Sequence, residues 1–188
     1  RLPGFTGLTG TLTISPDGGR LELNSRQLKV DTAGRLRAPV TLDTLKGVLN
    51  WRHSAQGWTL DSPGIELGNP DLSGRFWGSA TLPDAGEPSL NVRGQYQLQL
   101  GAVRRYLPFT AIPPDGLAWL DQALVSGQAT GGEFTLRGLP GRFPFDHGEG
   151  LFETRFQVQD AVLDYTPGWP RLERLQAAVT FRNRTLQV

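Results

Sequence analysis

The 188-residue chain contains no cysteine, which excludes disulfides, thiol catalysis and cysteine-ligated metal sites. It also lacks an excess of charge of either sign, because 19 basic residues oppose 18 acidic ones and leave a net charge of +1. Nucleic-acid-binding domains normally carry a strongly basic face, so no nucleic-acid partner is expected. No apolar run approaches the roughly 18 residues of a membrane-spanning helix, and no signal peptide is present.

Patterns that support catalysis or metal binding are also scarce. Asp146, His147 and Glu149 lie close together in the sequence, but their spacing matches no zinc motif and favours a polar loop. No nucleophile elbow, phosphate-binding loop or dinucleotide-binding fingerprint occurs. Asp160 and Asp164 fit strand ends and turns better than the paired carboxylates of a glycosidase. The sequence therefore predicts no enzyme, no metal site and no cofactor.

Alternation of apolar and polar residues is the dominant pattern in the chain. The 24 glycines and 14 prolines are spread along it, which is typical of many turns. Strands that alternate in this way have one dry and one wet face, as antiparallel sheets allow. Ten apolar side chains from the clearest strands are predicted to line the dry face: Leu90, Val92, Tyr96, Leu98, Leu100, Phe134, Leu136, Phe152, Phe156 and Val158.

An internal repeat relates residues 5–14, 42–51 and 172–181, which align without gaps. Each copy has an apolar residue, a leucine three positions later, a small residue, and then two apolar residues at alternate positions. A turn and a second strand follow each copy. After the first two copies, residues 25–28 and 62–65 are predicted to begin a third strand. The repeat indicates a sheet that grows by adding hairpins.

The chain begins at Arg1 without a methionine, and its third repeat copy ends soon after the turn at Val188. We interpret it as part of a longer parent protein, whose targeting signals would lie elsewhere.

A single helix is predicted near residues 114–125, within the stretch YLPFTAIPPDGLAWLDQALVSG. Prolines are favoured in a first helical turn, and Gly127 is a natural stop. Leu117, Leu120 and Leu124 recur at helical spacing. Three turns are marginally stable alone, so this leucine face must dock on an apolar surface. We expect it to face the dry side of the sheet and to cap or narrow it.

One short helix cannot cover the dry face of so many strands. The sheet can hide that face by forming a sandwich, by closing into a barrel, or by curling into an open trough. Among all-β folds in general the sandwich and the barrel are the more common solutions. The residue pattern itself does not distinguish among the three. In a trough a long apolar surface would remain available for binding.

Four segments follow one another in the second half of the chain: RRYLP (104–108), GLAWLDQALVSGQATGGEFTLRG (116–138), FPF (143–145) and the stretch from 150 to 181. In this order they resemble the YhdP family of AsmA-like envelope proteins from Gram-negative bacteria. The most specific elements are YLP, WL-x-x-AL-x-x-G and LDY-x-PGWP-x-L. The resemblance is strong over 104–181, whereas residues 1–100 share only the hairpin-repeat style.

The resemblance implies a mainly β protein, an elongated twisted antiparallel sheet curled into an open trough with an apolar concave groove. Residues 1–188 are then one continuous segment: hairpin repeats (1–100), the YLP loop and helix (101–127) and further strands (128–188). The family implies a periplasmic location and a parent anchored in the inner membrane. It is linked to phospholipid transport between the two membranes and is not an enzyme family.

The expected function is therefore to carry the acyl chains of a phospholipid or other acyl lipid along the ten predicted lining residues. A periplasmic scaffold or chaperone-like factor for outer-membrane assembly or the permeability barrier is the alternative, and a sugar-processing or sugar-binding β-domain is a more distant one. The terminal strands should be bare edges able to associate with other copies. Arg104 and Arg105 could meet lipid phosphates, although a solvated surface pair is the favoured interpretation.

Overall fold

The structure is a computed structural model that describes residues 3–107 and 112–188. Residues 108–111, which include the proline of the YLP motif, lie outside the described part. Eleven strands make up most of the chain: β1 Gly4–Thr6, β2 Gly10–Ser15, β3 Gly18–Asp31, β4 Val40–Ser54, β5 Gly57–Gly68, β6 Leu72–Leu82, β7 Ser89–Gln99, β8 Leu124–Gly138, β9 Leu151–Leu163, β10 Leu172–Arg182 and β11 Thr185–Gln187. The described helices are α1, Pro114–Ala123, and two 3₁₀ helices, Leu100–Arg105 and Pro140–Arg142.

All eleven strands belong to one antiparallel sheet. Strands β1 and β2 both pair with β3, and from β3 onward each strand pairs with the next in the sequence as far as β11. The two ends of this order do not pair with each other, so the sheet is not closed into a barrel. The expectation of a mainly β, antiparallel, open sheet with one short helix is confirmed, and the arrangement is compatible with an open trough.

The sheet exposes far more surface than a compact protein of its size. Its solvent-accessible surface is 12,012 Å², whereas a compact monomer of this mass exposes about 8,900 Å². Only nine hydrophobic residues are buried in the described part of the chain, and four of them are alanines: Leu28, Leu42, Leu100, Ala102, Ala123, Ala129, Phe145, Val158 and Ala161. The fold is thus a single layer of sheet with small, local cores.

In each repeat copy three positions separate the first apolar residue from the following leucine, and the strands bend at this interval. In the first copy the chain breaks between β1 and β2 at Gly7, with φ 84°. In the third copy Arg174 has φ 53° beside a register shift in the β9–β10 pairing. In the second copy the residue opposite this interval, Gln27 of β3, has φ 54°. Such irregularities add local twist and bend to a sheet.

The predicted third strands after the first two repeat copies are wrong. Residues 25–28 continue β3, and residues 62–65 continue β5 through a register shift with β6. Ser25 is fully buried, and its hydroxyl accepts the N–H of Thr9 and donates to the carbonyl of Thr9. The change of phase that looked like a strand boundary is therefore an irregularity within one long strand.

Helix α1 is confirmed, but it ends at Ala123 instead of near residue 125. Leu124 has φ −88° and ψ 91° and already pairs with Leu163 of β9. Gly127, predicted as the helix stop, lies inside β8 with φ 115°. Pairing with β9 satisfies the backbone groups of these residues within the sheet, so the helix ends where the strand begins.

Large aromatic rings lie over glycines of the neighbouring strand. The ring of Phe76 covers Gly94, its register partner, so closely that a Cβ on Gly94 would lie 2.2 Å from Phe76 Cδ1. Trp51 covers Gly19 in the same way, and a Cβ there would lie 2.2 Å from Trp51 Cζ2. The absence of a side chain lets each ring lie flat on the sheet, which protects the glycine backbone in a fold with no second layer.

Adding a methyl group at Gly94 should therefore destabilise the sheet. We expect Gly94→Ala to lower the free energy of unfolding by about 1–3 kcal/mol, because the Phe76 ring must leave its position. Gly141→Ala is the matched control, since nothing lies within 4 Å of a Cβ at that glycine. Urea unfolding of both variants checks the prediction, which fails if the two lose equal stability.

Candidate functional site: the apolar face of the sheet

Register pairing collects the apolar side chains of the sheet on one side, here called the apolar face. Residues directly opposite each other in antiparallel strands share a face. One row of such partners crosses ten strands, over about 43 Å at ~4.8 Å per strand, and Thr154 is its only polar member: Gly10, Leu23, Gly47, Ile65, Phe76, Gly94, Phe134, Thr154, Phe181 and Leu186. The opposite side carries the arginines, glutamines and asparagines of the same strands.

Nine of the ten predicted lining residues lie in strands on this face. Val92 opposes Leu136, which opposes Phe152, and Leu98 opposes Ala129, which opposes Val158. The remaining strand members of the set take neighbouring places on the same side: Leu90, Tyr96, Phe134 and Phe156. Contact of these side chains with lipid stays a prediction.

Leu100 is placed differently from the expectation that it continues strand β7. The strand ends at Gln99, and Leu100 opens the first 3₁₀ helix. Its side chain, 5% exposed, packs over the apolar face in a buried cluster with Ala129, Val158 and Ala161. Leu100 and Val158 therefore belong to a local core, and the first 3₁₀ helix covers this part of the face.

Phenylalanines form a continuous series across the apolar face. Their ring centroids are separated by 6.2 Å, 5.7 Å and 5.6 Å in edge-to-face pairs, in the order Phe76, Phe134, Phe152 and Phe181. Phe143, from the loop between β8 and β9, packs against Phe152 with a centroid separation of 5.7 Å. That loop covers the face from the rim opposite to the one covered by Leu100, so the strip between these two covers remains open.

A pair of hydroxyl groups lies within this open strip. Tyr96 Oη lies 2.5 Å from Thr154 Oγ1, and Thr154 Oγ1 donates to the carbonyl of Glu133 at 2.9 Å. Burial raises the pKa of Tyr96, an effect that its hydrogen bond to Thr154 only partly opposes. The phenol therefore remains neutral at physiological pH and adds no charge to the face.

Sequence reasoning missed the apolar residues of the first half of the sheet and of β10. These side chains share the face by register and are half-buried: Leu49, Trp51, Leu60, Ile65, Phe76 and Phe181. Three of them, Leu49, Trp51 and Phe181, are positions of the internal repeat. The repeat was thus the signal that would have extended the predicted lining across the whole sheet.

Helix α1 lies at one end of the strands, which we call the α1 rim. Arg37, from the loop between β3 and β4, contacts both carboxylate oxygens of Asp121 at 2.6 and 2.7 Å. On the other side, Trp119 Nε1 donates to the carbonyl of Tyr165 at 3.2 Å, and Asp164 N–H donates to that of Ala123 at 2.9 Å. The helix thus joins two loops that belong to strands on either side of β5–β8.

Leu117 and Leu120 are half-buried residues of α1, whereas Leu124, predicted on the same helix face, is a half-buried residue of β8. The principal contacts of the helix are with β8 and the first 3₁₀ helix, in addition to the two loops. These contacts place α1 along the rim and not on the central strip of the apolar face. The expectation that its leucines face the groove stays a prediction.

The polar segment around His147 is organised by local contacts. Asp146 pairs with Arg184 at 2.7 Å, and Glu149 accepts the backbone N–H of His147 at 2.9 Å. No group of three or more potential metal ligands occurs within residues 3–107 and 112–188. Asp164 forms an ion pair with Arg171 at 3.1 Å, in the turn before β10.

The structure defines a class of protein: an open, single-layer antiparallel sheet with one continuous apolar face. The chain matches the YhdP protein family over residues 1–188 and belongs to that family. It is 27% identical over 183 residues to the intermembrane phospholipid transporter YhdP of Escherichia coli (strain K12). The alignment covers 97% of this chain but 14% of that relative, so the chain spans about one seventh of the relative's length. No solved structure matches the chain.

No helix within 3–107 and 112–188 is long and apolar enough to cross a membrane.

The Tyr96–Thr154 contact should stabilise the fold in a pH-dependent way. Because the folded state raises the pKa of Tyr96 above 10.0, its contribution is present below pH 10 and is lost as pH rises through the folded pKa. We expect Tyr96→Phe to cost about 1 kcal/mol of unfolding free energy at neutral pH, and the difference from the native chain to shrink in alkali.

Urea unfolding at neutral pH and above the ordinary tyrosine pKa measures this difference. Thr154→Val should reproduce the loss at neutral pH, whereas Thr154→Ser, which retains the hydroxyl, should not. Equal stability of Tyr96→Phe and the native chain at neutral pH would contradict the assignment.

Proposed function

We propose that the apolar face is a groove that carries the acyl chains of phospholipids. The observation that supports this most directly is an uncovered apolar row that runs across ten strands. Soluble proteins rarely leave apolar patches larger than a few hundred Å² exposed unless the patch binds something. The chain exposes about 3,000 Å² more total surface than a compact protein of its mass, as expected when a face of the sheet lacks a second layer.

The dimensions and chemistry of the face suit an acyl chain. Half of a bilayer's hydrocarbon core, about 15 Å, approximates the length of one chain, and the row extends for about 43 Å. Burial of each methylene contributes about 0.8 kcal/mol wherever along the face it occurs. A chain is therefore held firmly without a fixed position, which is what passive sliding requires.

The finer parts of the proposal come from the relative and from the family resemblance. The relative is named as an intermembrane phospholipid transporter, so we place this chain in the periplasm, as a segment of a parent that is anchored in the inner membrane and reaches toward the outer membrane. The row of register partners from Gly10 to Leu186 contains no charged residue, which favours a transport role over an enzymatic one.

Exposed apolar residues on the terminal strands favour a second candidate function. Leu12 and Ile14 of β2 are 56% and 70% exposed, and Leu186 of β11 is 61% exposed. No strand within the described residues pairs with the outer edge of either strand. These edges suit pairing with another strand, either from another copy or from a client of a periplasmic scaffold.

Lipid extraction and mass spectrometry of the purified chain test the first function. We expect co-purifying phospholipid and exchange with fluorescent phospholipid in vesicles. A chain that is consistently empty and inert to the fluorescent lipid would count against the groove, and photocrosslinking of the face to peptide alone would favour the scaffold.

A single carboxylate on the open strip should block lipid binding. We expect Val92→Asp to reduce bound phospholipid at least tenfold, because a charge there must be desolvated beneath an acyl chain. Val92 lies outside the buried cluster around Leu100, so this position tests lining with little disturbance of the core.

Asn91→Asp is the matched control, since the neighbouring side chain points to the polar face and is exposed. Circular dichroism and urea unfolding verify that both variants fold. If folded Val92→Asp binds lipid as well as Asn91→Asp, the apolar strip is not the binding surface.

A further inference from the structure

Two guanidinium groups converge on one acidic residue at the α1 rim. Arg37 Nη1 donates to both carboxylate oxygens of Asp121 at 2.6 and 2.7 Å. Arg104, from the end of the first 3₁₀ helix, donates from its own Nη1 to the backbone carbonyl of Asp121 at 3.4 Å. Within the described part of the chain, the Asp121 carboxylate thus pairs with Arg37 alone, whereas Arg104 lies beside it on the backbone carbonyl of the same residue. Two permanent positive charges therefore lie close to one negative charge, an arrangement that suits a more highly charged anion.

Arg105, the neighbour of Arg104, is already engaged elsewhere. Its guanidinium pairs with Asp71 at 2.5 Å, beside the hydrogen bonds between Tyr106 and Asn69. The tandem arginines therefore do not act together as a pair. The structure instead combines Arg104 with Arg37, which lies 67 positions earlier in the sequence and reaches the rim through the loop between β3 and β4.

We propose that Arg37 and Arg104 form a phosphate-binding site at the α1 rim, in which the carboxylate of Asp121 occupies the place of the anion. Guanidinium groups bind phosphate oxygens with the same two-pronged geometry that they use for carboxylates. The ligand class is a phosphate monoester or diester, such as a phospholipid headgroup. The assignment of the lipid as the source of the phosphate rests on the proposed function.

The first 3₁₀ helix connects this site to the apolar face. Leu100 and Ala102 are buried, and Leu100 packs over Ala129 and Val158, whereas Arg104 is exposed. Four residues of 3₁₀ helix span about 8 Å, so the arginine site lies one short step outside the apolar strip. An acyl chain on the strip would therefore place its phosphate near the rim, in water, as a headgroup requires.

The contact with Asp121 is weak enough to be exchanged. The side chains of Arg37 and Asp121 are 35% and 36% exposed, so water screens their attraction. A phosphate monoester, such as the headgroup of phosphatidic acid, carries more negative charge and more acceptor oxygens than a carboxylate. It can therefore compete for the two arginines without the cost of breaking a buried ion pair.

The test compares a fluorescent phosphatidic acid with a diacylglycerol of the same chains, which lacks the phosphate. We expect the native chain to prefer the phosphatidic acid by about fivefold, the effect of one screened charge pair. Arg37→Gln and Arg104→Gln should each remove most of this preference. Asp121→Asn should increase it, because the internal competitor loses its charge while the side-chain shape is retained.

Arg35→Gln provides the control, since it removes one positive charge from the same loop without touching Asp121. An equal loss of preference in Arg35→Gln would show general attraction and overturn the site. An unchanged preference in Arg37→Gln, or a decrease in Asp121→Asn, would also overturn it.

Inorganic phosphate, added as a competitor, separates the possible sources of the ligand. If it removes the preference for phosphatidic acid but leaves diacylglycerol bound, the site is supported as one that accepts phosphate from either source. If phosphate has no effect while the arginine variants do, the lipid headgroup is the specific ligand. Failure of both lipids to bind the native chain would reject the proposed function itself, which is a different outcome from loss of the preference.

Discussion

The fold depends on one constraint: a single layer of sheet cannot bury its own apolar face. Backbone hydrogen bonds along ten strand pairings hold the layer together, and they form whether or not the apolar face is covered. Hydrophobic burial, normally the dominant favourable term in folding, is limited to small cores around Leu28, Leu100 and Phe145. Local devices must therefore supply stability, such as the aromatic rings laid over glycines and the edge-to-face series of phenylalanines.

The same constraint gives the face its open and covered parts. Leu100 covers the side near the α1 rim, and Phe143 reaches over Phe152 from the opposite rim. Side chains between these covers, such as Val92 and Leu136, are half-buried. Partial covers of this kind border the open strip, and the strip itself needs only to be apolar and continuous.

Much of this architecture could be predicted from the sequence, because strict alternation fixes which residues share a face. Nine of the ten predicted lining residues share one face of the sheet for that reason. Alternation fails wherever an irregular residue shifts which side chains of a strand point to each face. Gln27 and Arg174 are such residues, and no glycine or proline at these positions marks them in the sequence. Leu100 was misplaced because nothing local distinguishes the last residue of a strand from the first of a 3₁₀ helix. The ion pair of Arg37 with Asp121 joins residues 84 positions apart, and no local pattern predicts it.

The recognisable motifs of the family lie at the rim and not on the floor of the sheet. Tyr106 of the YLP motif hydrogen-bonds with Asn69, Trp119 donates to the carbonyl of Tyr165, and the Asp164 N–H closes the end of α1. Such contacts need particular side chains at particular places. The apolar face, in contrast, requires only the alternation of apolar and polar residues, because hydrophobic burial depends on area, and many sequences satisfy that pattern.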